Sequence, residues 1–189
     1  MKKLLKIVLG LVIVLVALVG ILSLLAKDEK NISISSTQFV NAPVDVVYDE
    51  IRYLENYPNW SPFKVQDPEQ KHKVTGQDGQ VGATFHWEGV AEESKGSQTI
   101  TELKKNKLVK VNCDITVPFQ ANPQFVYRLD AKNGGTEVTL DFDIEMKFPS
   151  NIIAYLLGLR DEMRATNQQG LDLLKELAEG KQQQVSLRP

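Results

Sequence analysis

Apolar residues follow three rhythms along this chain, and each predicts a different kind of element. The first is an unbroken run: from Ile7 to Leu25, 19 residues, only Ser23 is polar. Wound as a helix at about 1.5 Å per residue, it spans a hydrocarbon core of roughly 30 Å. Its backbone amides are then satisfied internally, as lipid requires. The predicted transmembrane helix covers residues 7–26.

The second rhythm is strict alternation. Asn31 to Phe39 alternates and predicts a first strand. From about Lys71 to Lys147 strand follows strand, separated by the turn strings Gly76-Gln77-Asp78-Gly79, Lys104-Lys105-Asn106 and Asn133-Gly134-Gly135. Parity assigns the faces. Ala83, Phe85 and Trp87 share one face and Thr84, His86 and Glu88 the other. Val109, Val111, Cys113, Ile115 and Val117 form another apolar row, as do Phe125, Tyr127 and Leu129. Val138, Leu140, Phe142, Ile144, Met146 and Phe148 oppose a polar row that includes Asp141, Asp143 and Glu145. An antiparallel sheet with one apolar and one wetted face follows.

The third rhythm is the spacing of three and four. Val44, Val47, Tyr48, Ile51 and Leu54 mark a short helix entered through Pro43. Glu55 to Pro62 holds two prolines and reads as a turn with room for a second short helix. After Pro149, Ser150 or Asn151 can cap a long helix with apolar positions Ile152, Leu156, Leu159, Met163, Leu173, Leu174 and Leu177. Gly158 and Gly170 each cost it roughly 1 kcal/mol against alanine and suggest close approach to the sheet. Gly180 is its expected stop, and 181–189 reads as a polar tail. Only this long helix can cover the apolar sheet face. An α+β fold follows: a curved antiparallel sheet of about seven strands around one C-terminal helix, in a single domain over 31–180.

Charge refines the picture. Of 22 basic and 24 acidic residues, Lys2, Lys3, Lys6, Lys27, Lys30, Asp28 and Glu29 flank the apolar run. The rest carries 17 basic and 22 acidic residues, a net of −5, which excludes a phosphate-neutralising nucleic-acid surface. Lys2, Lys3 and Lys6 precede the run, while Lys27 to Lys30 is mixed in sign. This bias places residues 1–6 in the cytoplasm and the domain on the extracytoplasmic side of a cell membrane. A cleaved signal peptide is the competing reading. Its apolar core is usually about 7–15 residues and ends in a small-x-small site, whereas this run is longer and Leu24-Leu25-Ala26 is bulky where a small residue is preferred.

Candidate chemistry is sparse. Cys113 is the single cysteine, so no intrachain disulfide forms, and its apolar face marks it as a buried structural residue. His86 falls on the wetted face, and no His, Cys, Asp or Glu set has metal-ligand spacing. Asp141, Asp143 and Glu145 read as the wetted face of a strand rather than a calcium site. No catalytic residue, metal or cofactor is assigned. The residues best placed to line a space between helix and sheet are Trp60, Phe85, Trp87, Tyr127, Phe142, Tyr155, Leu159 and Met163; core packing is the alternative for each. Tyr127 and Tyr155 stand out because a buried hydroxyl needs a partner and can orient a ligand.

Four strings carry a resemblance: Asn41 to Tyr48, Tyr57 to Phe63, Gly82 to Trp87, and Gly135 to Leu140. In this order, over roughly Ile32 to Leu177, the chain resembles the START/Bet v 1-like superfamily, specifically its polyketide cyclase/dehydrase-like (SRPBCC) proteins. The resemblance implies a helix-grip fold with a hydrophobic cavity that takes a lipid or other apolar small molecule. It carries no shared catalytic motif. Three functions stay open: a membrane-anchored binding or transfer module, a scaffold whose cavity its own side chains fill, and a cyclase or dehydratase-type enzyme.

Overall fold

A computed structural model describes residues 2–91 and 93–186; the last three residues of the expected polar tail lie outside them. The apolar run forms helix α1 (Lys2–Leu25), followed by a short 3-10 turn (Ala26–Lys30). The domain then runs through β1 (Asn31–Val40), α2 (Val44–Arg52), a 3-10 turn (Leu54–Asn59) and α3 (Pro62–Gln66). Six strands follow: β2 (Lys71–Thr75), β3 (Thr84–Glu88), β4 (Lys95–Lys104), β5 (Leu108–Val117), β6 (Gln124–Lys132) and β7 (Gly135–Glu145). Helices α4 (Ser150–Leu157) and α5 (Leu159–Ser186) end the described chain.

All strand pairs are antiparallel, in the order β1-β7-β6-β5-β4-β3-β2. Five of the six junctions join strands consecutive in sequence. The sixth brings the first strand beside the last, from Asn31↔Glu145 to Val40↔Thr136. Register shifts in the β4–β5 pair, at Lys95/Gly96 and Ile100/Glu102, bend the sheet. The expected parity rows face inward, and α5 packs on that side through the buried Leu171, Leu174 and Ala178. This is the helix-grip arrangement.

The pairing also gives the sheet two distinct ends. Asn31 follows directly on the α1 junction and pairs with Glu145, so the start of β1 and the end of β7 mark the end near α1. The β5–β6 and β3–β4 loops lie at the same end. The opposite end is solid core, built on Val40, Ile51, Leu54, Trp60, Val109, Leu129 and Val138.

Several expectations need correction. The C-terminal helix is two helices, because Gly158 adopts φ 65°, a left-handed conformation that ends α4. Gly158 is therefore a break and makes no close approach to the sheet. Gly170 does make a close approach, but to Pro62 of α3: a Cβ there would lie 3.3 Å from Pro62 Cδ. Gly180 does not end α5. The Lys181 ammonium, 2.6 Å from the buried Glu50 carboxylate, gives the helix a reason to continue. Phe148 and Leu156, assigned to apolar inner faces, are 64% and 62% exposed. Phe148 lies beyond the last paired residue of β7, and Leu156 sits on the outer side of α4.

Candidate ligand cavity

The space between helix and sheet is not filled throughout. At the end near α1 it holds a cavity of about 260 Å³, walled by the sheet, the first turns of α5, α3 and the β5–β6 loop. Five of the seven strands contribute inward residues from that end: Phe85 and Trp87 from β3, Gln98 from β4, Cys113, Ile115 and Val117 from β5, Phe125 from β6, Phe142 and Ile144 from β7. Leu159, Glu162 and Met163 of α5 close the other side. Large residues pack fully at the far end, whereas near α1 the sheet and α5 leave room.

Local sequence shapes each wall. The Trp87 indole lies across Gly96 on the neighbouring strand: a Cβ there would come 2.6 Å from the indole and 2.5 Å from the Asp114 carbonyl. Only glycine lets the ring lie that close. Pro118, Phe119, Ala121 and Pro123 form the β5–β6 wall, pinned by a two-way backbone pairing of Ile115 with Ala121 at 2.9 and 3.1 Å. The Asp67 carboxylate is buried and accepts hydrogen bonds from the Val90 and Ala91 amides at 2.7 and 3.3 Å, tying the β3–β4 loop to the segment after α3. Tyr57 partitions cavity from core, meeting Phe85 edge-on at 5.4 Å on one side and Trp60 at 4.9 Å on the other.

The thiol and phenols in and beside the cavity are held neutral, and the carboxylates in its lining are Asp67 and Glu162. Burial pushes the Cys113 thiol up to about 12. Burial likewise raises the Tyr57 phenol, offset in part by a hydrogen bond with Ser61, and holds the Tyr127 phenol well above the ordinary tyrosine range. All three stay protonated at neutral pH. His86 is exposed on the outer face, 2.9 Å from the Thr75 hydroxyl, and His72 stacks on Phe85 outside the cavity lining. Among the described residues no group of three His, Cys, Asp or Glu could hold a metal.

Of the eight side chains expected around this space, Phe85, Trp87, Phe142, Leu159 and Met163 line it. Trp60, Tyr127 and Tyr155 do not. Trp60 is buried in the core behind Tyr57, where its indole N–H donates to the Glu50 carbonyl at 3.2 Å, and Tyr127 packs edge-on against it at 5.9 Å. Tyr155 is on α4, 41% exposed and turned away from the sheet. Gln98 was not anticipated. It is buried between Phe85 and Cys113 across the sheet, and its side chain lines the cavity. A buried amide open to a cavity is a built-in partner for a ligand's polar atom.

A wider depression of about 400 Å³ lies on the outer sheet face. Several of its polar side chains are already engaged: Ser33 with Asp143, Ser35 with Asp141 at 2.7 Å, and Arg128 with Asp141. It is the wetted face that the strand parity predicts.

The cavity, grip helix and strand order agree with a known family. The family model described as polyketide cyclase / dehydrase and lipid transport matches residues 31–179. The chain belongs to that family. Solved structures show the same Bet v 1-like fold at low identity. A Chromobacterium violaceum protein is 16% identical at a TM-score of 0.59, with 78% of this chain and 97% of that one covered. The di-domain ARO/CYC StfQ of the steffimycin biosynthetic pathway is 13% identical at 0.62, covering 82% of this chain and 52% of that one. Ara h 8.0201 is 11% identical at 0.58, covering 78% and 97%. Comparison with curated proteins gives no match. Membership of the polyketide cyclase/dehydrase and lipid transport family makes this a fold capable of ligand binding, and the cavity is where it has room.

Proposed function

We propose that this protein is a membrane-anchored module that binds one slender apolar molecule in the cavity beside its anchor. The observation that carries this reading is the cavity itself: largely apolar walls, one buried amide, and a position at the end of the sheet from which α1 departs. Its volume falls just short of the roughly 300–1,000 Å³ of drug-sized sites. That suits a single acyl chain or a compact ring system better than a two-chain lipid. The space left unfilled favours binding over a self-filled scaffold. The protonated Cys113 and Tyr57 favour binding over catalysis by either group.

The anchor belongs to the same reading. Helix α1 is long and apolar enough to cross a membrane. Its leucines, valines and isoleucines project outward, uncovered by the domain, which supports a lipid environment over a place in a protein core. The lysine bias puts residues 1–6 in the cytoplasm and the domain over 31–180 outside, close to the membrane. The test is extraction of the purified full chain with organic solvent, followed by mass spectrometry. A co-purifying apolar molecule in stoichiometric amount, absent from a variant with the cavity filled by Ala121→Phe, is expected. Repeated preparations with no such molecule would overturn the reading.

A further inference from the structure

Helix α4 breaks the rule that surface helices show water their polar side. Between Lys147 and Arg160 the chain carries no charged residue. The inward side of α4 is buried through Asn151, Ile152 and Ala154. Its outward side presents Ile153, Leu156 and Leu157 at helical spacing, 51%, 62% and 70% exposed, with Phe148 just ahead of the helix. Isolated exposed leucines need no explanation; a contiguous patch of large apolar side chains does.

The position of α4 identifies what covers this patch. The 3-10 turn after α1 packs against α4, and Ala26 at its start is fully buried. The Asn151 amide donates to the Ala26 carbonyl at 3.2 Å. Arg160, just past α4, meets the Glu29 carboxylate at 3.2 Å and the Asp28 carbonyl at 2.8 Å. The Met146 amide bonds the Lys30 carbonyl at 2.8 Å. These contacts bind both ends of α4 to the residues where the apolar run of α1 stops. A bilayer spanned by α1 therefore has its outer surface at the level of α4.

We infer that α4 is a second membrane-contacting element, lying in the headgroup–acyl boundary of the bilayer that α1 spans. Phe148, Ile153, Leu156 and Leu157 enter the acyl region, and the half-exposed Tyr155 sits at headgroup level, where amphipathic rings are favoured. The inference rests on the anchor reading above and adds an orientation to it. The α5 turn that follows α4 lines the cavity, as does the half-exposed Phe119 of the β5–β6 loop. With α4 in the interface, this side of the cavity faces lipid.

The test uses the full chain in phosphatidylcholine vesicles, with a polarity-sensitive NBD fluorophore on one introduced cysteine. Cys113 is buried, and mass spectrometry checks that it stays unlabelled. Three positions are compared: Leu156→Cys on α4, Lys105→Cys in the turn at the far end of the sheet, and Leu15→Cys within α1. The Leu156 probe is expected to emit at shorter wavelength than the Lys105 probe. Spin labels near the lipid headgroups should quench it at least twofold more than aqueous iodide does. A Leu156 probe that behaves like the Lys105 probe, while the Leu15 probe reports lipid, overturns the interfacial role of α4 and leaves the anchor standing. A Leu15 probe that reports water overturns the anchor and this inference together.

Discussion

Cys113 shows at the scale of one residue how burial decides chemistry. Parity alone placed it on the apolar face, and the structure surrounds it with cavity wall and no cation, so its thiol is pushed up to about 12 from an ordinary 9.0. Below pH 9 the thiol keeps its proton folded or unfolded, and its contribution to stability is intact. Between 9 and 12 only the unfolded chain ionises, so stability falls as the pH rises. Urea unfolding of the domain should lose about 1 kcal/mol more between pH 8 and pH 10 in the wild type than in Cys113→Ala. An equal loss in the two proteins would contradict a buried, neutral thiol. Gln98 was less legible. Its strand carries Gly96 and Gln98 on the inner face, where neighbouring strands carry valine, isoleucine and phenylalanine, so alternation did not announce which way it pointed. Trp60 and Tyr127 were misplaced for the opposite reason. Aromatic size marks a residue as inward, and it does not say whether a second aromatic stands between it and open space.

At the scale of elements, the strands were legible because a period of two over ten residues fixes both the element and its faces. Their pairing within β2 to β7 followed from short turns. The pairing of β1 with β7 left no local signal; it is set by tertiary packing of Ile32 and Ile34 with Phe142 and Ile144. The C-terminal helix was misread because helical spacing continues on both sides of Gly158, and a glycine inside a helix and a glycine ending one look alike in sequence. Substitution separates the two. In a continuous helix Gly158→Ala would add about 1 kcal/mol of stability. At φ 65° it should instead cost about 1–2 kcal/mol, and Gly158→Asn should cost less, since asparagine tolerates the left-handed region. Thermal or urea unfolding of the two variants checks the sign.

On the scale of the whole molecule, the sheet divides into a packed end and a hollow one. The packed end gathers α2, Trp60 and the middle of α5 into a core. The hollow end gathers the cavity, the β5–β6 loop, α4 and the root of α1. Class and order of elements were readable from residue patterns because burial imposes them one element at a time. The location of the hollow was not, because it depends on where a curved sheet and a broken helix diverge. With α1 in a bilayer, as proposed, the arrangement would place the cavity next to lipid, and that adjacency is the central claim.

Photocrosslinking tests it most directly. The full chain in lipid nanodiscs would be irradiated with palmitic acid carrying a mid-chain diazirine, and the adducts mapped by peptide mass spectrometry. The account predicts adducts on peptides bearing Cys113 to Phe125, Phe142 to Ile144 and Leu159 to Met163, competed by excess plain palmitate and lost in a folded Met163→Trp variant. Adducts confined to α1, with the domain unlabelled and Met163→Trp without effect, would contradict it.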